Sequence, residues 1–281
     1  MTSLQGEMGR EYAQRSGEPS EVAEAIFEHH LPRFAGDRLP QSQAGLVVGV
    51  ADRLDTLMGL FAAGLQPTGT GDPYAMRRAA IGLVQMLIAN DIRFDLRYGL
   101  KQAAAGLPIE AQKDSVEACL RFIITRQQAH MLNEGYRYDV VEAVLAEQGH
   151  DPAGAAQAVQ ALEQWVRRDD WPETLQAYAR CVRITRDETT VHTLDPDRFV
   201  EEDERGLYAA LQAAESAVRA PGSVDDFISS FRPIIPAIST FFDEVLVMDE
   251  DRNLRANRLG LLQRIAGLSS GVVDLSKLEG F

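Results

Sequence analysis

Apolar positions recur at helical spacing along almost the whole chain, and no stretch shows the period of two expected of a strand. The clearest case runs from Ser42 to Gly64, SQAGLVVGVADRLDTLMGLFAAG. At ~100° per residue, Leu46, Val47, Val50, Leu54, Leu57, Met58 and Phe61 share one broad face. Opposite them Gly45, Gly49, Asp52, Thr56, Gly59 and Ala63 form a stripe of small residues, which lets a second element approach closely. The pattern predicts a long helix covered on both sides, with Asp52 as the carboxylate of the small stripe. A buried carboxylate needs a cation or a metal ion beside it. Arg77, Arg78 and the pair His29 and His30 are the partners that the sequence offers.

The neighbouring elements follow from the same periodicity and from helix punctuation. Leu4, Met8 and Tyr12 stripe a first helix that closes near Gly17, and Pro19 opens a second whose buried side, Val22, Ala23, Ile26 and Phe27, runs towards Leu31. The stretch PTGTGDPYAMRRAA carries two glycines before a helix start, but no lysine follows at P-loop spacing and no strand precedes it. Asp72 is therefore read as the cap and Pro73 as first-turn residue, with Met76, Ala80, Leu83 and Leu87 facing inward. Arg77 and Arg78 then stand where the helix dipole disfavours cations, so an anion is expected near them, either Asp52 or an RNA phosphate. Asp91 opens a segment that ends at Gly106 and Pro108. Asp114 with Glu117 and Asp139 with Glu142 read as capping boxes. Asp151-Pro152 and Pro172 start further helices, Pro233 and Pro236 divide the apolar stretch they interrupt, and a last helix spans Leu254 to Ile265. The class is all-α.

Composition narrows the function. The 281 residues suffice for one large or two modest domains, and no run of about eighteen apolar residues suggests a membrane span. The N-terminus lacks a signal-peptide pattern, so a cytoplasmic protein is expected. The balance of 28 basic against 42 acidic residues gives −14, which argues against DNA and confines any polyanion site to a local patch. The basic residues are lysine only at Lys101, Lys113 and Lys277 and arginine elsewhere, the side chain suited to bidentate phosphate contacts. Arg121 and Arg126 flank one apolar stripe. Arg180, Arg183 and Arg186 step by three along a helix, as do Arg252, Arg255 and Arg258. With Tyr136, Tyr138 and Tyr178 they outline a surface that could stack and pair with single-stranded RNA. Cys119 and Cys181 read as buried free thiols. His150 and Asp151 fall in a loop with no ordered ligand set, and no catalytic or metal-binding constellation is complete.

The stretches EHHLPRFAGDRLP, VVGVADRLDTLMGLFAAGLQPTG, DPYAMRRAAIG, EGYRYDVVEAVLA, FFDEVLVMDEDRNLRANRLGLL and DLSKL, in this order, resemble the C-terminal part of the β subunit of bacterial two-subunit glycyl-tRNA synthetase. The resemblance implies a partial, degenerate HD-like helical domain at 1–66, connecting helices at 67–108 and a DALR-like anticodon-binding helical domain at 109–281. It implies service to ATP-dependent attachment of glycine to tRNA, with the chemistry on a separate α subunit. ATP and Mg would be used by the whole enzyme, with no cofactor in this chain. His29, His30 and Asp52 match parts of the HD-type pattern, but its earlier histidine and its His-Asp doublet have no counterpart, so neither a metal nor a catalytic residue is carried over. Arg126, Arg137, Tyr138, Arg180 and Arg183 are the expected tRNA contacts. Two features depart from the family. The chain starts at a point that resembles the family's middle, and where a Lys-Arg pair is usual it has Ala179 and Arg180, followed by Arg183 and Ile184. The rival readings are an HD-type metal phosphohydrolase remnant and a purely structural module that packs against other subunits.

Overall fold

A computed structural model describes residues 4–69, 71–112 and 114–281. These are all-α, with thirteen α-helices, short 3-10 turns and, in place of any strand, one isolated bridge between Thr68 and Gly71. Two compact units emerge, one formed by 1–135 with 149–156 and the other by 136–148 with 157–281. This division departs from the boundaries expected at 66 and 108. The reason is a single continuous core in the first unit, running from Leu46 through Phe61, Leu83 and Leu100 to Ile123.

The first unit holds α1 (Glu7–Arg15), α2 (Ser20–Glu28), α3 (Gln43–Ala62), α4 (Met76–Ala89), α5 (Leu96–Gly106) and α6 (Ser115–Asn133). Helix α3 touches α2, α4, α5 and α6, as its apolar breadth requires. Ser42 caps it by accepting from the Gly45 N–H at 3.0 Å. Helix α4 starts later than Asp72 and Pro73 suggest, after Ala75 in a left-handed conformation. The Asp72 carboxylate still reaches in to accept from the Met76 and Arg77 N–H groups at 2.8 and 2.9 Å. Asp95, not Asp91, caps α5. Asp114 precedes α6 with a backbone that is already helical and no side-chain cap, and Glu117 pairs with Arg97 at 2.9 Å, so the expected capping box does not form.

The second unit contains α7 (Tyr138–Gln148), the greater part of α8 (Pro152–Trp165), α9 (Trp171–Thr185), α10 (Glu202–Ser216), α11 (Val224–Phe231), α12 (Ile235–Glu244) and α13 (Arg252–Ala266). Asp139 lies inside α7 and pairs with Arg137, so no capping box forms there either. Pro233 and Pro236 divide α11 from α12 through one 3-10 turn, as their missing N–H groups demand. Helix α9 packs on α13 and α10 on α12. Tyr178 sits in this core, its ring edge-on to Phe227 and Phe231 and its hydroxyl bonded to Ser269 and the Ala266 carbonyl. No helix among the described residues is long and apolar enough to cross a membrane.

Candidate functional site

The buried charge of α3 is Arg53, and Asp52 is exposed. Arg53 lies four residues after Gly49 and four before Leu57, so it shares their inward line, and Asp52, one step earlier, is turned some 100° towards solvent. The Arg53 guanidinium donates to the carbonyls of His29 at 2.8 Å, Leu31 at 2.7 Å and Gly49 at 3.0 Å. It thereby satisfies two backbone acceptors in the turn that follows α2, besides a carbonyl of its own helix. Burial pushes its pKa down, with Asp52 opposing the shift. The small residues now have a different meaning: a Cβ at Gly45 would fall 2.5 Å from that of Glu28, and one at Gly49 would fall 3.3 Å from the His29 carbonyl oxygen. Glu28 is the carboxylate this stripe accommodates. Burial works against its charge, but the Ser42 hydroxyl and the N–H groups of Gln41 and Ser42 hold its pKa below the ordinary value.

His29 and His30 lie ring beside ring, centroids 3.8 Å apart. His29 Nδ1 faces the Ala25 carbonyl at 3.3 Å. The His30 pKa is lowered by burial, then by His29, with Asp52 pulling the other way. Among the described residues no group of three or more His, Cys, Asp or Glu is placed to hold a metal ion. Cys119 and Cys181 are buried free thiols whose pKa values burial pushes up to about 12.

Of the expected RNA contacts, four fall in the second unit. Arg180 and Arg183 lie one turn apart on α9. The Arg180 guanidinium stands 4.4 Å from the Phe242 ring centre with Asp243 3.8 Å away, and that of Arg183 stands 5.4 Å from the ring of Phe281. Such aromatic faces hold guanidinium planes without neutralising them. Tyr138 is exposed. Arg137 is occupied by Asp139, through bonds of 3.0 and 2.8 Å, and by Glu279 at 3.5 Å. Two sequence expectations fail here. Tyr178 is core, so it cannot stack on a base, and Arg258 is buried against Glu204 and Asp249 at 2.7 and 2.8 Å, which removes it from any exposed arginine trio.

Arg126 belongs to the first unit. It lines a cleft of about 1240 Å³ together with Arg33, Arg77 and Arg78. The sequence singled out the Arg77-Arg78 pair but gave no sign that Arg33, forty-four residues earlier in the chain, shares the same wall.

The family model of the glycyl-tRNA synthetase beta subunit matches residues 1–146, and that of the DALR anticodon binding domain matches 174–271. The chain is 41% identical to a glycine–tRNA ligase beta subunit of Myxococcus xanthus, covering 98% of this chain and 41% of that protein. It is 38% identical to the corresponding protein of Moorella thermoacetica, at the same coverage. A chloroplastic/mitochondrial glycine–tRNA ligase of Arabidopsis thaliana is 37% identical over all of this chain and 26% of its own length. The chain thus spans well under half the length of the curated relatives it matches.

Proposed function

Since the chain belongs to the family of glycyl-tRNA synthetase beta subunits, we propose that it is the part of such a ligase that holds glycine tRNA while an α subunit carries out the ATP-dependent chemistry. One observation carries this reading: the anticodon-binding match at 174–271 coincides with the bundle from α9 to α13. On α9, Arg180 and Arg183 rest on aromatic rings, and among the described residues the one carboxylate paired with either is Asp243, 3.8 Å from Arg180. In this reading the two guanidiniums pair with phosphates, and Tyr138 offers an exposed ring to a base. No residue of this chain is assigned to adenylation or transfer, and ATP and Mg belong to the assembled enzyme.

The test is binding of the 281-residue chain to glycine tRNA and to an unrelated tRNA across a salt series. Preference for the glycine tRNA that survives rising salt supports recognition by this chain. The Arg180→Ala/Arg183→Ala variant should bind about tenfold more weakly, equivalent to ~1.4 kcal/mol, and should flatten the log–log salt slope by about 1.4–1.8. Unchanged affinity and slope would remove both residues from the site, and no tRNA binding by the parent chain would overturn the reading.

A further inference from the structure

The cleft of the first unit has a composition at odds with the rest of the chain. The chain carries 42 acidic residues, yet among the described residues none lines this cleft, whereas Arg33, Arg77, Arg78 and Arg126 all do, with His130 beside them. The four arginines are not equally engaged. Asp37 holds Arg33 from below through bonds of 2.9 and 3.4 Å, and the side chain of Arg77 donates to the Gly69 carbonyl. Arg78 is exposed and has no carboxylate partner among the described residues. Arg126 is half-buried beside the Phe122 ring, and its Nε, shut off from solvent, has no hydrogen-bond partner. Nε is closed to any incoming group, so an anion in the cleft would meet Arg126 through its terminal nitrogens, the end of the side chain that lines the cleft with Arg78. At about 1240 Å³ the cleft exceeds the pockets of about 300–1,000 Å³ that suit small molecules. At its edge Phe34 is 58% exposed, a flat apolar face beside Arg33.

We propose that this cleft is a second RNA site, in which Arg78 and Arg126 engage backbone phosphates of an unpaired stretch while Phe34 stacks on one of its bases. The inference rests on the reading of the chain as a tRNA-holding protein and adds a contact outside the anticodon-binding match. The first turn of α4 contributes little of its own, because Asp72 already accepts from its Met76 and Arg77 N–H groups. The attraction therefore comes from side chains.

The experiment uses the whole 281-residue chain, with an Arg78→Ala/Arg126→Ala variant and two probes, a full glycine tRNA transcript and the anticodon stem-loop of that tRNA. For the full transcript, roughly tenfold weaker binding at low salt and a slope shallower by about 1.4–1.8 are expected. For the stem-loop, affinity equal to that of the parent is expected, and Arg180→Ala/Arg183→Ala should give the converse by weakening both probes. An Arg126→Lys variant, which keeps the charge, should retain most of the slope. If the double variant melts early, Arg78→Glu alone, at an exposed position, carries the same test with a larger expected loss. Parent-like binding of the full transcript by these variants overturns the cleft while leaving the role of α9 intact. Equal losses on both probes also overturn it, by merging the cleft with the anticodon contact. Lost capture of polyglutamate with unchanged tRNA binding would assign the cleft to an acidic polypeptide and sink the proposal. Absence of tRNA binding by the parent would defeat the wider reading as well.

Discussion

Arg53 in the first unit and Arg258 in the second are both buried within helices, yet they are kept charged by opposite means. Arg53 is surrounded by the carbonyls of His29, Leu31 and Gly49, with no carboxylate among the described residues bonded to it. Arg258 is clamped by Glu204 and Asp249 and also donates to the Leu246 carbonyl at 2.9 Å. Glu204 is in turn fully buried and accepts from the Val200 and Glu201 N–H groups at the start of α10. The difference lies in what each arginine would leave behind. Loss of Arg53 orphans neutral backbone dipoles, whereas loss of Arg258 strands an anion in the core.

The sharpest way to break this contrast is Arg258→Met. It should destabilise the second unit by about 3–5 kcal/mol, the range for removing one partner of a buried pair. Both tryptophans, Trp165 and Trp171, lie in that unit, so urea unfolding followed by tryptophan fluorescence reads it directly. A loss below about 1 kcal/mol would show that Glu204 does not depend on its partner. Arg53→Met comes next. Leaving buried carbonyls unmatched should cost about 1–3 kcal/mol, seen by circular dichroism as an earlier transition with the tryptophan transition unmoved. Equal costs for the two variants would dissolve the distinction.

The smallest effect is on acid sensitivity. In the first unit burial lowers the His30 pKa from 6.5, with His29, Arg53 and Arg33 acting the same way and Asp52 against. Glu28 also lies below its ordinary 4.5. Groups depressed in the folded state leave the unfolded chain to bind protons first, so stability is lost as pH falls. That loss should begin below about 6.5 in the first unit. In the second, Asp139, Asp170 and Asp249 are depressed from 3.8, Asp170 to about 2 through its bonds with Arg168. Their contribution should persist until pH falls below 3.8 and fade towards about 2. Circular dichroism should therefore register acid loosening before tryptophan fluorescence does, and His30→Gln should remove the earliest part. Coincident transitions at every pH would contradict this ordering.

Periodicity and punctuation made the helices legible, because an apolar stripe and its caps are local properties: Ser42 caps α3, and Pro233 and Pro236 part α11 from α12. The identity of a buried charge was harder. Asp52 and Arg53 differ by a single step around the helix, and the stripe of small residues drew attention to Asp52 and away from its neighbour. The signal was present in the line Gly49, Arg53, Leu57, an inward row interrupted by one arginine. Tyr178 and Arg258 were misplaced for a related reason. Their partners Ser269 and Glu204 are ninety-one and fifty-four residues away, beyond any pattern along one helix. The arginine cleft gathers from α4, α6 and the loop after α2, and only its α4 pair is adjacent in the chain.

The route of the backbone has a further consequence. After residue 135 the chain gives residues 136–148 to the second unit, returns to the first for 149–156, and only then completes the second. Both excursions are anchored. Asp151 holds Arg93 at 2.5 Å and the His150 carbonyl accepts from the Leu96 N–H at 2.8 Å, while the Gln148 side chain donates to the carbonyls of Gly222 and Val272 at 2.9 and 2.7 Å. No recombination breakpoint between α6 and α9 can therefore pass on one unit intact without taking a strand of anchoring contacts from the other. Genetic exchange that swapped only the segment 174–271 would import a bundle lacking α7. A cut in the chain that respects one unit therefore always divides the other.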